Sequence, residues 1–276
     1  EPTLEAAAAP DMAEWQRIDY GKKIRNYGLL RGASSLTAFT SLRSSIVGRF
    51  ISMAGFGFDE STTVCPPDGG AALRALLSVK AYYQLDDTPA PDGFVFDHDE
   101  NGVAVYRNPN ALPMGFLQTT CTGTYHQRMD SQTTPTVLLA AVTLDDDELA
   151  AYQPRMQTLD VSDIPDWQES VARLKQNACD GFDATADGFI AHIDAKEAGI
   201  LVFTIPFDKG FSATVDGQKA EIVNCDVAFM GVWVEPGEHE IVFTYRTRAL
   251  PLGAALSALA AAMLAVYVFI CRRRGR

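Results

Sequence analysis

The sequence is short of positive charge, poor in metal ligands, and without the common hydrolase signatures. Lys and Arg number 23 against 35 Asp and Glu, a formal charge of −12. Setting aside Arg272, Arg273, Arg274 and Arg276 leaves 19 basic residues against those 35, or −16 for everything before the tail. A surface so acidic repels a phosphate backbone, which argues against nucleic acid as a partner. His98, His126, His192 and His239 lie far apart, and no Cys or His pair has zinc-ligand spacing. Neither G-x-S-x-G nor H-E-x-x-H occurs, so a free-standing hydrolase ranks last among functions. Gly55-Phe56-Gly57 is too short a glycine pattern to cradle a phosphate. There is no Asn-x-Ser/Thr sequon, and no metal, cofactor or catalytic residue is expected within this chain.

Cysteine is scarce as well. Cys271 adjoins the terminal arginines, leaving Cys65, Cys121, Cys179 and Cys225. An oxidising exterior would permit two disulfides in three connectivities, and scattered buried thiols are an equal alternative. The N-terminus, EPTLEAAAAPDMAEWQ, has neither the basic n-region nor the apolar h-region of a secretory signal. That predicts either a removed leader or earlier spans in a longer protein.

What the chain does have is one long apolar run. From Ala249 to Cys271 no side chain is charged, and a helix over this stretch, at about 1.5 Å per residue, is about 34 Å long. It can cross a hydrocarbon core of about 30 Å, and its backbone groups bond to one another where water is absent. The arginines that follow predict a cytoplasmic C-terminus, with the bulk of the chain outside the cytoplasm. LPLGAALSALAAAMLAVYVFICRRRGR also has the layout of a sortase sorting signal, but Leu252 stands where that signal needs Thr.

Before the span, the pattern changes along the chain. Residues from Trp15 to Phe58 mix apolar, Ser, Gly and basic residues, and Leu42, Ile46, Arg49 and Phe50 predict a helix starting near Ser41. Ala71 to Leu77 reads as a short helix flowing into the strand-like SVKAYYQL, and FVF and VAVYRN follow as strands. TVLLAAVTL is either a strand or a buried helix start. Asp145, Asp146 and Asp147 suit a helix N-terminus better than a metal clamp. In WQESVARLKQNA, Trp167, Val171, Leu174 and Ala178 share a face, and Glu169 and Arg173 have the spacing of an ion pair. From Cys179 the period becomes two. GILVFTIPF, FSATV, DVAFMGVWV and EIVFTY read as strands, with Asp216-Gly217 as a type I′ turn and Pro236-Gly237 as a type II turn. The fold class read from this is α+β: an extracytoplasmic α+β region over residues 1–165, and a helix with a small antiparallel β-sandwich over 166–248. A transmembrane helix over 249–271 and a basic tail over 272–276 complete the division.

These residues carry a resemblance. IPFDKGFSATVDGQKAEIVNCDVAFMGVWVEPGEHEIVFTYRT, followed at once by an apolar helix, resembles the C-terminal end of the YfhO family of bacterial polytopic membrane proteins. Pro206, Phe207, Asp208, Lys209 and Gly210 match its first segment, and Val215, Asp216 and Gly217 its hairpin. Ala228, Phe229, Met230 and Gly231 match its strand, and Pro236, Gly237 and His239 its last turn; the usual Trp is Phe211 here. LLSVKAYYQL and VYRNPNALPMGF resemble two further family segments, and NYGLLRGASSLTAFTS a third more weakly.

The resemblance implies a GT-C-type glycosyltransferase that uses a polyprenyl-phosphate sugar and modifies envelope polymers such as teichoic acid. Its catalytic loop lies between early spans and is not in this chain. On that reading the partners are the lipid bilayer, a polyprenyl-phosphate sugar and an envelope glycan, and the role is accessory or glycan-recognising. Phe207, Asp208, Phe211 and Trp233 are the glycan-binding candidates, as aromatic faces beside a carboxylate. The alternative is a membrane-anchored surface-binding protein or adhesin without catalytic activity.

Overall fold

The computed structural model describes residues 17–20, 28, 32–39, 44–59, 63–65, 70–85, 87–123, 130, 133–160 and 162–275. The fold class is α+β, with antiparallel sheets and one C-terminal apolar helix. Much of the sequence that carries the match to strands folds around the segment GILVFTIP. Gly199–Pro206 is buried along most of its length, as a continuous apolar run predicts for a strand covered on both faces. Leu201 and Phe203 point into one core, while Ile200 and Val202 point into another, which is the alternation a pleated strand imposes.

This strand is the sixth of a seven-stranded sheet with the order Gln157–Thr158, Thr120–Gly123, Val142–Leu144, Val223–Cys225, Phe229–Val234, Gly199–Pro206, Phe116–Gln118. Its first three strands run parallel and the rest antiparallel. Strands from both sides of residue 165 therefore share one sheet. Against one face lies an antiparallel sheet ordered Gly181–Thr185, Gly188–Ala195, Gly237–Tyr245, Phe211–Val215, Gln218–Ala220. Leu117, Leu201, Phe203, Met230 and Val232 of the first sheet meet Phe189, Ala191, Ile193, Ile241 and Phe243 of the second in a common core. Phe243 stacks on Phe189 at 4.5 Å between ring centroids. Close approach is enforced at Gly231, where an added Cβ would stand 2.6 Å from Ile200 Cγ2.

The other face of the seven-stranded sheet is covered by helices Ala71–Leu76, Thr133–Ala140 and Trp167–Lys175, which bring Leu73, Leu76, Leu138, Leu139, Val171 and Leu174 to it. Thr133–Ala140 resolves the ambiguous TVLLAAVTL: a helix runs to Ala140 and a strand follows at Val142–Leu144. Leu138 and Leu139 are both fully buried, so the helix has no wet side and shows no helical period in sequence. Its start is set by Asp130, whose Oδ1 accepts from the Thr133 backbone N–H at 2.9 Å. Asp145 occupies the N-cap position of Asp146–Tyr152 without a side-chain capping bond, and Asp146, Asp147 and Glu148 lie in the first turn, where the helix dipole favours them.

A separate five-stranded sheet is built from Ser34–Ser35, Arg17–Tyr20, Val79–Gln84, Val103–Arg107 and Val95–Glu100, in that order. It is tied to the main body by Arg17, whose guanidinium donates to Leu77 O at 2.8 Å and Thr204 O at 2.7 Å. Arg74 and Asp19 add a buried ion pair at 2.8 Å. The helix predicted near Ser41 is Ser45–Met53; Leu42 lies outside the described residues.

Four expectations need correction. DVAFMGVWV is a strand only from Phe229 onward: Asp226 and Val227 take φ values of 51° and 71° and turn the chain between the preceding strand Val223–Cys225 and Phe229–Val234. Pro236-Gly237 is a bend and not a type II turn, since Gly237 has φ 134° and already belongs to the strand Gly237–Tyr245. Arg173 does not pair with Glu169; it turns inward to Leu139 O, Ala140 O and Gln118 Oε1. Cys121, Cys179 and Cys225 are free, buried thiols, which removes the two-disulfide alternative. The Asp216-Gly217 hairpin stands, with φ 52° and 75° and the pair Val215↔Gln218 closing a two-residue loop.

Candidate functional site

A cleft of about 610 Å³ opens beside the five-stranded sheet, between its Val79–Gln84, Val103–Arg107 and Val95–Glu100 strands and the end of Trp167–Lys175. The strand register builds it: Ala81 pairs with Arg107, and Tyr83 with Val105, which in turn pairs with His98. On the edge strand, Phe96 pairs with Tyr106 and His98 with Val105, so Asp97 is the extra residue of a bulge. Bulges of this kind re-aim a side chain, and here the Asp97 carboxylate bridges two donors. Oδ1 accepts from Arg107 Nη2 at 2.7 Å and Oδ2 from His98 Nδ1 at 3.0 Å. The His98 bond is the largest influence, and together with the bond and charge of Arg107 it holds the Asp97 carboxyl below its ordinary range against the opposing effect of burial.

The opposite wall is the turn Asn108-Pro109. Asn108 is buried and donates from Nδ2 to Val79 O at 2.9 Å, while its Oδ1 accepts from the Asn110 N–H at 3.0 Å. Its carboxamide is thus a staple that shapes the wall. Lys175 reaches across and donates to Pro109 O, and burial pulls its ammonium below the usual lysine value. Lys80, Arg107 and Lys175 face Asp97 and Glu100 in this lining, an excess of one positive charge in a chain of formal charge −12. Tyr106 adds an aromatic wall, braced by Phe96 at 5.8 Å. Cationic groups, hydrogen-bonding side chains and an aromatic ring can together hold a polar anion of modest size.

Of the four residues singled out from sequence, Phe207, Asp208 and Phe211 share one turn, in which the Phe211 N–H donates to Asp208 O at 3.1 Å, and Trp233 lies apart from them. Phe207 and Asp208 line a groove near the base of the C-terminal helix. Phe211 packs on Tyr245 and Phe243, at 4.9 and 6.3 Å between centroids. Trp233 stacks on Tyr152 at 5.8 Å, lies under the Arg155 guanidinium at 4.2 Å, and donates from Nε1 to Glu235 Oε1 at 2.7 Å. The Phe207 N–H bonds Ala228 O, and Trp233 is five strand residues further on, about 17 Å at ordinary strand rise. The cleft itself was missed by sequence reading. The signal that pointed to it was present: Lys80 lies in LLSVKAYYQL and Arg107, Asn108 and Pro109 in VYRNPNALPMGF, two segments that carry the resemblance.

Two other matched turns are joined in space. His239 bonds Asp216 Oδ2 through Nδ1 at 2.7 Å and Glu235 O through Nε2 at 2.8 Å. Both partners are acceptors, so the arrangement is complete only with a proton on each ring nitrogen. Burial opposes that charge, but the bonds from Asp216 and Glu235 prevail and raise the His239 pKa. The Asp-Gly hairpin and the Pro-Gly-x-His turn thus lock one another, which is a structural role for both.

Leu250–Arg274 is a 25-residue helix with mean hydropathy 2.3 over its most apolar window and no buried residue. It is long and apolar enough to cross a membrane. Residues 129–257 match the model of the family described as bacterial membrane protein YfhO. No curated protein and no solved structure matches the chain. The matched stretch contains Lys175, the paired turns of Asp216 and His239, and the first residues of the apolar helix. Over residues 129–257, this chain is similar to the YfhO family of bacterial membrane proteins.

Proposed function

We propose that this chain is the outward-facing, membrane-anchored part of a YfhO-family protein and that its cleft recognises an anionic envelope glycan polymer. The observation that carries this reading is the cationic, aromatic-walled cleft of Lys80, Tyr106, Arg107 and Lys175 in an otherwise acidic chain. A phosphodiester-linked polymer such as teichoic acid offers both partners the cleft asks for: phosphates for its cations, and sugar or polyol hydroxyls for Asp97, Glu100 and the Tyr106 face. Its role would be accessory: holding the acceptor near the membrane while chemistry on a polyprenyl-phosphate sugar proceeds elsewhere in a GT-C-like assembly.

The test is polymer glycosylation in cells whose own copy is replaced by the double variant Arg107→Glu, Lys175→Glu. The reading expects the variant to reach the membrane at normal level and glycosylation of the anionic polymer to fall severalfold. Unchanged glycosylation, with polymer binding lost in the purified variant, would leave an anchored surface-binding protein instead. Unchanged glycosylation and unchanged binding would remove the cleft from both accounts.

A further inference from the structure

A second groove, of about 520 Å³, lies where the folded region passes into the spanning helix and is lined by Ile46, Phe207, Asp208, Lys209, Asn224 and Arg248. Its position is fixed by the end of Gly237–Tyr245. Arg246 donates its N–H to Gly210 O at 2.9 Å, tying the 208–210 turn to the chain just before the helix. Gly210 permits that approach, since an added Cβ would stand 2.6 Å from Tyr245 Cε2. Arg248 precedes the first helical residue, Leu250, by two positions. The interfacial layers add about 5–7 Å to each side of a hydrocarbon core of about 30 Å. A groove beside Arg248 is therefore at headgroup depth when the helix spans.

The chemistry of the lining is specific. Lys209 and Arg248 supply two cations. Asp208 does not cancel them fully, because one carboxylate against two cations leaves one positive charge in excess; its Oδ1 accepts from the Gly210 N–H at 2.7 Å within the turn. Asn224 Oδ1 is buried and has no hydrogen-bond partner among the described residues, which is costly for an acceptor unless a donor arrives. Phe207 and Ile46 offer apolar wall. A ligand satisfying all three features carries an anion, a hydroxyl and a short carbon backbone.

We infer that this groove holds the glycerol-phosphate headgroup of an anionic phospholipid, with Lys209 and Arg248 on the phosphate and Asn224 Oδ1 accepting from a headgroup hydroxyl. The site would fix the height and rotation of the folded region on the bilayer, independently of what the cleft binds.

The test uses the full chain in nanodiscs of mixed phosphatidylcholine and phosphatidylglycerol, with lipids retained after mild delipidation counted by native mass spectrometry. Wild type should retain phosphatidylglycerol preferentially. The variant Lys209→Gln, Arg248→Gln should lose about thirtyfold of that preference, given the usual gain for each of two basic residues near an anionic surface. Arg272→Gln, Arg273→Gln, at the far end of the span, should lose less. Asn224→Leu, with its fold checked by circular dichroism, should bind phosphatidylglycerol and phosphatidic acid alike, since only the former headgroup brings free hydroxyls. The inference is overturned if the groove variant keeps the preference, or if the far-end variant loses as much. It is also overturned if soluble glycerol phosphate displaces the lipid, which would make the ligand a free phosphate ester.

Discussion

Replacing Asp226 by Asn should remove a defined part of the protein's pH dependence. Asp226 has no exposed surface, and it sits in the left-handed turn that splits the two strands. Its N–H donates to Thr143 O at 2.9 Å and its Oδ1 accepts from the Thr143 N–H at 2.8 Å, while Oδ2 is buried without a partner. Burial pushes its carboxyl up to about 7, against the smaller opposing pull of the Thr143 bonds. In the unfolded chain the same group titrates near its ordinary value of about 4. Between those values the folded protein holds one proton more, so stability falls as pH rises through that window. At about 1.4 kcal/mol per pH unit, the loss between pH 5 and pH 8 comes to about 3 kcal/mol. For a folded region of this size that corresponds to a Tm lower by roughly 6–12 °C. Asn keeps the acceptor for Thr143 and tolerates the left-handed φ, but it cannot ionise. Thermal unfolding of both proteins in the same detergent, at pH 5 and pH 8, isolates the effect, because every other group contributes to both. Near parity at pH 5 and a markedly more stable variant at pH 8 are expected; parallel profiles would refute the reasoning.

Other consequences follow from particular contacts. Arg173→Ala strips the donors from Leu139 O and Ala140 O at the end of a buried helix and from Gln118 Oε1. It should cost about 2–3 kcal/mol in denaturant unfolding, as for buried acceptors left unpaired, whereas Glu169→Ala should cost little. The raised pKa of His239 contributes stability that is fully present below about pH 6.5, its unfolded value, and is lost as pH rises through the higher folded value. His239→Gln should flatten the stability profile above that pH and leave the Asp226 window intact. Phe203 is fully buried between the two facing sheets, and Phe203→Ala should cost about 3–5 kcal/mol, read as a loss of unfolding midpoint.

Some of this architecture was legible in the residues and some was not, for physical reasons. The Asp216-Gly217 hairpin is local chemistry, and the apolar helix needs only length and the absence of charge. The strand Gly199–Pro206 announced its burial on both faces by its unbroken run. By contrast, the turn at Asp226 and Val227 has no glycine to mark it, and a β-branched residue at positive φ is disfavoured; the bonds to Thr143, more than 80 residues away in sequence, hold it. Arg173 has the spacing of a surface ion pair, yet the carbonyls that draw it inward belong to a helix more than 30 residues earlier. The cleft joins Lys80, Asp97, Arg107 and Lys175 only through strand register and the packing of Trp167–Lys175, none of which is written in local pattern. Trp233 and Phe207 lie in one matched segment but are separated by the length of a strand.

The central claim, that the cleft takes a polyanionic glycan, is tested most directly by titrating the purified chain with poly(glycerol phosphate) and with a neutral glycan of matched length. The account predicts salt-sensitive binding of the anionic polymer alone, weakened about tenfold in Arg107→Gln, Lys175→Gln, a loss of about 1.4 kcal/mol. Equal binding of the neutral glycan, or an affinity that ignores both substitutions, would contradict it.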